Sequence, residues 1–349
     1  MIDKNALRRR ALELIAEDGR GAARRLVAEF RLSRQAANGH LQALLRHKQV
    51  EAEGSTRARI YRLATVKETV RDYPREGLRE DVVWQEVFMP VVADLPENVR
   101  DIWRYGVTEM VNNAIDHSGS AQVHVGVRRN ALHTDGWVAD DGEGIFLKIQ
   151  RALALYDPRE AILELAKGKL TTDPANHSGE GIFFASKVFD AFDIRSGRLH
   201  FMHGRGTLDV PMERPADAPG TLVLLRLAND SARTVKSVFD EFAAPEEYTF
   251  AKTLVPVRLA QHEGEKLVSR SQAKRLYQRF ERFRHVVLDF EGVAEIGQAF
   301  ADELFRVFAT AHPGVTLAPI NMSTAVSQMV SRALASASDA AKSSVSDAS

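Results

Sequence analysis

Apolar residues in the first 48 positions recur at helical spacing. Leu7, Leu12, Leu14 and Ile15 share one face over 5–18, and Ala22, Leu26, Val27 and Phe30 do so over 21–30. Asp18-Gly19 separates the two runs, and Ser33 stands where the N-cap of a third helix, near 34–48, is expected. Two short alternating runs, Val50–Glu53 and Arg59–Leu63, are joined by Gly54-Ser55-Thr56 and predict a hairpin. Residues 66–80 are charged, contain Pro74 and read as a linker. From 81 to 230, helical patterns (97–117, 146–154, 158–168, 180–190) mix with strand patterns (121–128, 132–139, 192–196, 199–203, 206–210, 221–227), which predicts an α+β domain. A polar, partly helical stretch covers 228–247. Over 248–335 the order is strand, helix (269–284), strand (285–290), helix (297–311), strand (315–320), helix (323–335), a small α/β domain. The small polar tail 336–349 reads as disordered.

Composition narrows the class. At 349 residues the chain accommodates two or three domains. With 44% apolar and 27% charged residues, fully disordered, collagen-like and coiled-coil chains are excluded. The absence of cysteine excludes disulfides, thiolate nucleophiles and Cys-ligated metals. No apolar run approaches the ~20 residues that span a bilayer, and the N-terminal stretch lacks the apolar core of a signal peptide. The expectation is a cytoplasmic protein with no membrane attachment. The net charge of zero hides a split: residues 1–75 hold 17 Lys and Arg against 9 Asp and Glu, and the remainder 30 against 38. A basic head on an acidic body points to an anionic partner for the head.

Three helices and a hairpin in about 60 residues make a winged helix-turn-helix over 1–65, similar to bacterial winged-helix regulators. Ser33, Arg34, Gln35 and Asn38 open the third helix with side chains suited to base edges and phosphates. Arg57 and Arg59 sit where a wing would reach the backbone or minor groove. Duplex DNA is the expected partner, with a protein-docking winged helix as the alternative. Such heads usually pair to read two half-sites, so a homodimer is expected.

The central domain carries three separated signals. In Glu109-Met-Val-Asn-Asn113-Ala-Ile-Asp116-His117, Glu109, Asn113 and Asp116 stand at i, i+4 and i+7 and share a helix face. A carboxylate beside an amide oxygen suits a metal-bound phosphate, with Asn as Mg²⁺ ligand and Glu as general base; an amphipathic helix with one wet face would look the same. Asp140-Asp141-Gly142-Glu143-Gly144-Ile145 follows a strand pattern, and its glycines permit close backbone approach; a plain turn or a truncated Ca²⁺ loop is the alternative. His177-Ser178-Gly179-Glu180-Gly181-Ile182 opens an apolar helix and aims backbone N–H groups at an anion, though no G-K-[ST] follows as in a P-loop.

Taken together these motifs resemble the GHKL ATPases: gyrase, Hsp90, MutL and histidine-kinase ATP-binding domains. Glu109 and Asn113 match that family's N box, Asp140, Gly142 and Gly144 its G1 box, and Gly179 and Gly181 its G2 box. Pro219-Gly220-Thr221 looks like the Gly-Thr that closes the site. The resemblance implies a Bergerat-fold α/β sandwich holding ATP and Mg²⁺. Asp140 would accept from the adenine amine, Asn113 would hold Mg²⁺, Gly179 and Gly181 would cradle phosphates, and 145–180 would form a lid. Lys167 and Lys169 in that lid could reach a phosphate, or simply be solvated helix-end charges. Thr108-Glu109-Met110-Val111-Asn112-Asn113-Ala114 is especially similar to anti-sigma-factor serine kinases. The upstream histidines, His40 and His47, lie inside the head, which argues against a sensor kinase. Over 248–335, the run His285–Phe300 resembles the STAS fold of anti-sigma antagonists, a possible protein-docking module. Where phosphorylatable STAS domains hold Ser or Thr, this chain has Gly297, Gln298 and Ala299. The expected function is an ATP-binding transcriptional regulator, with slow ATPase activity left open by Glu109; the alternative is a protein serine kinase of a partner switch. A mechanical ATPase of the gyrase kind is disfavoured, because the region after Leu227 does not resemble a transducer domain.

Overall fold

The computed structural model describes residues 4–55, 59–170, 179–204, 207–213, 218–243, 250–261 and 265–346. The first module is α1 (Lys4–Glu17), α2 (Ala22–Phe30), α3 (Arg34–Arg46) and an antiparallel hairpin, β1 (Val50–Glu53) with β2 (Ile60–Leu63). Leu7, Leu14, Ile15, Leu26, Leu41, Leu44, Val50 and Tyr61 form a core of their own. The Ser33 hydroxyl accepts from the Ala36 amide at 3.1 Å and caps α3, as its position suggests.

The central domain begins earlier than the sequence pattern indicates. Residues 66–80 do not form a linker: β3 (Lys67–Pro74) pairs antiparallel with β4 (Gln122–Arg129) along its whole length. Between them come α4 (Glu80–Val83), a π turn (Trp84–Phe88), α5 (Met89–Val92) and α6 (Glu97–His117). Then follow β5 (His133–Asp140), α7 (Ile145–Ala152), α8 (Glu160–Lys167), α9 (Gly181–Val188), β6 (Ala191–Ser196), β7 (Leu199–Gly204), β8 (Thr207–Glu213), β9 (Thr221–Ala228) and α10 (Val235–Phe242). The sheet has seven antiparallel strands in the order β3-β4-β5-β9-β6-β7-β8. Alternate residues (Val123, Val125, Val127, Val138, Val223, Leu225, Leu227) are buried on one face. Trp103 of α6 is fully buried between Phe88 and Phe189.

The C-terminal domain is a parallel three-stranded sheet of β10 (Lys252–Pro256), β11 (His285–Asp289) and β12 (Thr316–Ile320), in that order. Its helices are α11 (Arg270–Tyr277), α12 (Gln298–Asp302), α13 (Ala309–Ala311), joined to α12 by a π turn (Glu303–Phe308), and α14 (Thr324–Ser346). The helix expected over 269–284 stops at Tyr277, because Gln278 turns out of the helix at ψ 128° and Arg279 follows at φ +68°. Over the described residues, the tail expected to be disordered continues α14 to Ser346. This domain shares one continuous apolar core with the central domain, while the head has its own. Among the described residues, no helix is long and apolar enough to cross a membrane.

Candidate functional site

The three central motifs meet at one end of the sheet. Register places Asp140, the last residue of β5, opposite Thr221, the first of β9. Asp140 Oδ1 accepts from the Gly142 amide at 2.9 Å and the Thr221 amide at 3.3 Å. Among the described residues both bonds fall on Oδ1, so Oδ2 is left to accept from a ligand. The loop is cross-tied: Gly220 N donates to Gly142 O at 2.9 Å, and Glu143 N to Ser118 O, at the end of α6, at 3.1 Å. A Cβ on Gly142 would overlap that Ser118 carbonyl, so glycine is required there. Thr221 Oγ1 accepts from Ile145 N at 3.0 Å, which fixes the start of α7.

A cavity of about 310 Å³ opens beside this loop, within the size range of small-molecule sites. Glu109, Asn113, Asp140, Gly144, Gly179, Gly181 and Thr221 all line it. Its apolar walls include Met110, Val138, Ile149, Leu165 and Val223. Gly181 begins α9 directly against Glu109, where a Cβ would overlap the carboxylate. The start of α9 therefore presents bare backbone to the cavity. Burial pushes the Asp140 carboxyl above its ordinary value, against two amide bonds that lower it. Burial likewise raises the Glu180 carboxyl, against Lys169. The Tyr105 phenol is held far above its usual range by burial and by the nearby Glu109 and Glu180 charges.

Four expected residues stand elsewhere. Gly142 supports the loop without lining the cavity. Asp116 is exposed: the α6 stripe that meets the cavity runs Glu109, Asn113, His117, and Asp116 falls to its solvent side. Lys167 neither lines the cavity nor reaches solvent. It is fully buried on the far side of α8, paired with Glu164 at 2.5 Å and donating to Gln278 O at 2.9 Å. Lys169 donates to Arg282 O at 3.0 Å. The segment 145–180, expected to form a lid, has α8 enclosed between the cavity and the C-terminal domain; residues 171–178, with His177 and Ser178 of the third motif, lie outside the described residues.

Lys148 was missed by the sequence reading. It lines the cavity from α7 and donates to His117 O at 2.8 Å, closing the end of α6. Its signal was its place one turn after Gly144.

Residues 272–327 match the family described as "STAS-like domain of unknown function (DUF4325)". No curated protein matches the chain. In this STAS-like domain, Gly297 precedes α12 and Gln298 and Ala299 open it, so that helix start has no hydroxyl.

In the head, Arg34, Gln35 and Asn38 are exposed along the start of α3. Ser33 is exposed too, but its oxygen is engaged in capping. Arg59 is partly buried, with Nε lacking a partner among the described residues. Arg57 lies outside the described residues.

Proposed function

We propose that this chain is an ATP-binding regulator whose central domain is a GHKL-type nucleotide switch and whose head is a DNA-binding winged helix. The observation that carries the reading is the convergence of Glu109, Asn113, Asp140, Gly144, Gly179, Gly181 and Thr221, from four separated motifs, around one cavity. The donor set suits the ligand. Asp140 Oδ2 is an acceptor for an exocyclic amine, and Met110, Val138, Ile149 and Val223 offer an apolar bed for a purine. The glycines expose backbone N–H groups at the start of α9, where phosphates are favoured. Asn113 would supply a hard oxygen ligand for Mg²⁺, and the ion, when bound, would offset phosphate charge. Glu109 is the group able to take a proton from water, so slow hydrolysis is compatible with the site.

Exposed Arg34, Gln35 and Asn38 on the basic head support contact with duplex DNA. ATP binding regulates that contact only if nucleotide prefers one arrangement of the chain. The experiment is duplex affinity, on a sequence selected from random DNA, measured with ATP, with ADP and with no nucleotide. Affinity should change with nucleotide in the wild type and not in Asp140→Asn. Identical affinity in all three conditions would defeat the regulatory reading, and unchanged duplex affinity in Arg34→Ala with Gln35→Ala would defeat the DNA reading.

A further inference from the structure

Helix α8 has two faces with different partners. Leu165, with Leu170 just beyond the helix, lines the cavity. Leu170 N also donates to Gly179 O at 3.1 Å, tying this wall to the glycine turn before α9. The opposite face and the C-terminal carbonyls belong to the STAS-like domain. Arg279 Nη1 donates to Glu164 Oε2 at 2.8 Å, and its Nη2 to Gly168 O at 3.1 Å and to Lys169 O. Thr253 Oγ1 donates to Lys167 O at 2.7 Å, and Arg282 Nη1 to Lys169 O at 3.2 Å. In return, Lys167 and Lys169 donate to the carbonyls of Gln278 and Arg282. The last carbonyls of a helix have no partner within it; here another domain supplies the donors. Both sides are held in a costly backbone state: Lys169 at φ +48° and Arg279 at φ +68°, neither a glycine. Such outliers persist where the surrounding structure fixes them and often mark functional contacts.

We propose that Arg279 is a positioning residue of the nucleotide cavity, gripping the end of α8 so that occupancy of the cavity and docking of the STAS-like domain are energetically coupled. The proposal rests on the nucleotide reading of the cavity. Leu165 and Leu170 form the wall, and the grip sets where that wall stands. A nucleotide that favours the gripped position must, by linkage, strengthen the grip by the same factor. The STAS-like domain then acts on the site within its own chain, beyond any partner it docks.

The test is hydrogen exchange on the full chain, with and without Mg²⁺ and ATP, for wild type, Arg279→Ala, Arg279→Lys and Thr253→Val. Without nucleotide, Arg279→Ala should speed exchange over 160–170 by about tenfold or more and leave β11 protected. Arg279→Lys keeps the charge but not the two-pronged fork and should fall between. Thr253→Val, nearly isosteric, should act in the same direction and less. ATP should protect 277–284 in the wild type and not in Arg279→Ala, and ATP affinity should fall about fivefold or more in Arg279→Ala, the lower end of ordinary coupling. Equal loosening of 160–170 and β11 would mean a structural role alone and overturn the proposal, as would unchanged ATP affinity. If the wild type binds no ATP, the cavity reading fails and the coupling with it, while exchange without nucleotide still reports whether the grip exists.

Discussion

The head and the STAS-like domain flank the same central domain and attach to it in opposite ways. The head has a closed core of its own and meets the body through the Arg9–Asp230 ion pair, both side chains more than half exposed, and through Ala131 and Leu132 at the β4–β5 turn. The STAS-like domain has no separate core. Phe183, which lines the cavity, packs on Phe250, and Phe250 packs on Phe283 beside β11. Around those rings, Glu164, Lys167 and Arg279 are buried together. A module joined by one exposed ion pair and a small apolar contact is expected to move relative to its neighbour. One that shares a core and buried charges belongs to the fold it touches. The cavity wall at Phe183 is thus backed by the STAS-like domain, whereas the head is the part that can respond as a unit.

The largest effects should separate the two attachments. Phe250→Ala removes a ring from the shared core and should cost ~3–5 kcal/mol. All three tryptophans, Trp84, Trp103 and Trp137, lie in the central domain, so their fluorescence follows its unfolding in denaturant. That transition should shift markedly in Phe250→Ala and stay put in Leu26→Ala, which empties the head core and should cost ~2–5 kcal/mol there, read by helical circular dichroism. A tryptophan transition that ignores Phe250→Ala would break the comparison.

A smaller effect sharpens it through pH. Burial lowers the Lys167 ammonium to about 8 from an ordinary 10.5, against the Glu164 charge that raises it. Between those values the unfolded chain holds more protons than the folded one, so this group makes stability rise with pH from about 8 to 10.5 and contributes no slope below 8. Relative to Lys167→Met, the wild type should gain on the order of 1–3 kcal/mol across that window. Chemical denaturation at pH 7.5 and at pH 10 checks it. The opposite slope would mean that Lys167 is not buried in the shared interface.

The smallest effect belongs to the head contact. Arg9 and Asp230 are exposed, so Arg9→Ala should change stability by less than about 1 kcal/mol. The same substitution should speed exchange over α1, and a cost of several kcal/mol would show that the head is fixed as firmly as the STAS-like domain.

Much of this was legible in the sequence, for identifiable reasons. Helix α6 ends at His117 as expected, because Val99, Ile102, Trp103, Val107 and Met110 keep a clear helical period. Asp140 and Thr221 were picked out by the motif resemblance, and the register that sets them opposite each other came only with the sheet. The edge strand β3 was hidden: Lys67-Glu68-Thr69-Val70-Arg71-Asp72 carries charge on both faces, as an edge strand can, and reads as a linker. Lys167 was misread because lysines at helix ends are ordinarily solvated. The corrective signal lay beside it: Ala161-Ile162-Leu163 and Leu165-Ala166 make α8 apolar all round, the mark of an enclosed helix. Nothing in the sequence indicated that Arg279 would leave its helix at positive φ to meet Glu164, because that pairing spans 115 residues.

The most direct test of the central claim is calorimetric titration of ATP with Mg²⁺ into the full chain and into Asp140→Asn. The wild type should bind one equivalent saturably, and Asp140→Asn should bind about tenfold or more weakly, the size of one lost hydrogen bond to a charged group. Wild-type affinity should also fall as acid protonates Asp140, beginning at higher pH than an ordinary carboxylate because burial raises it. No binding by the wild type, or equal affinity in the two proteins, would contradict a nucleotide site at this cavity.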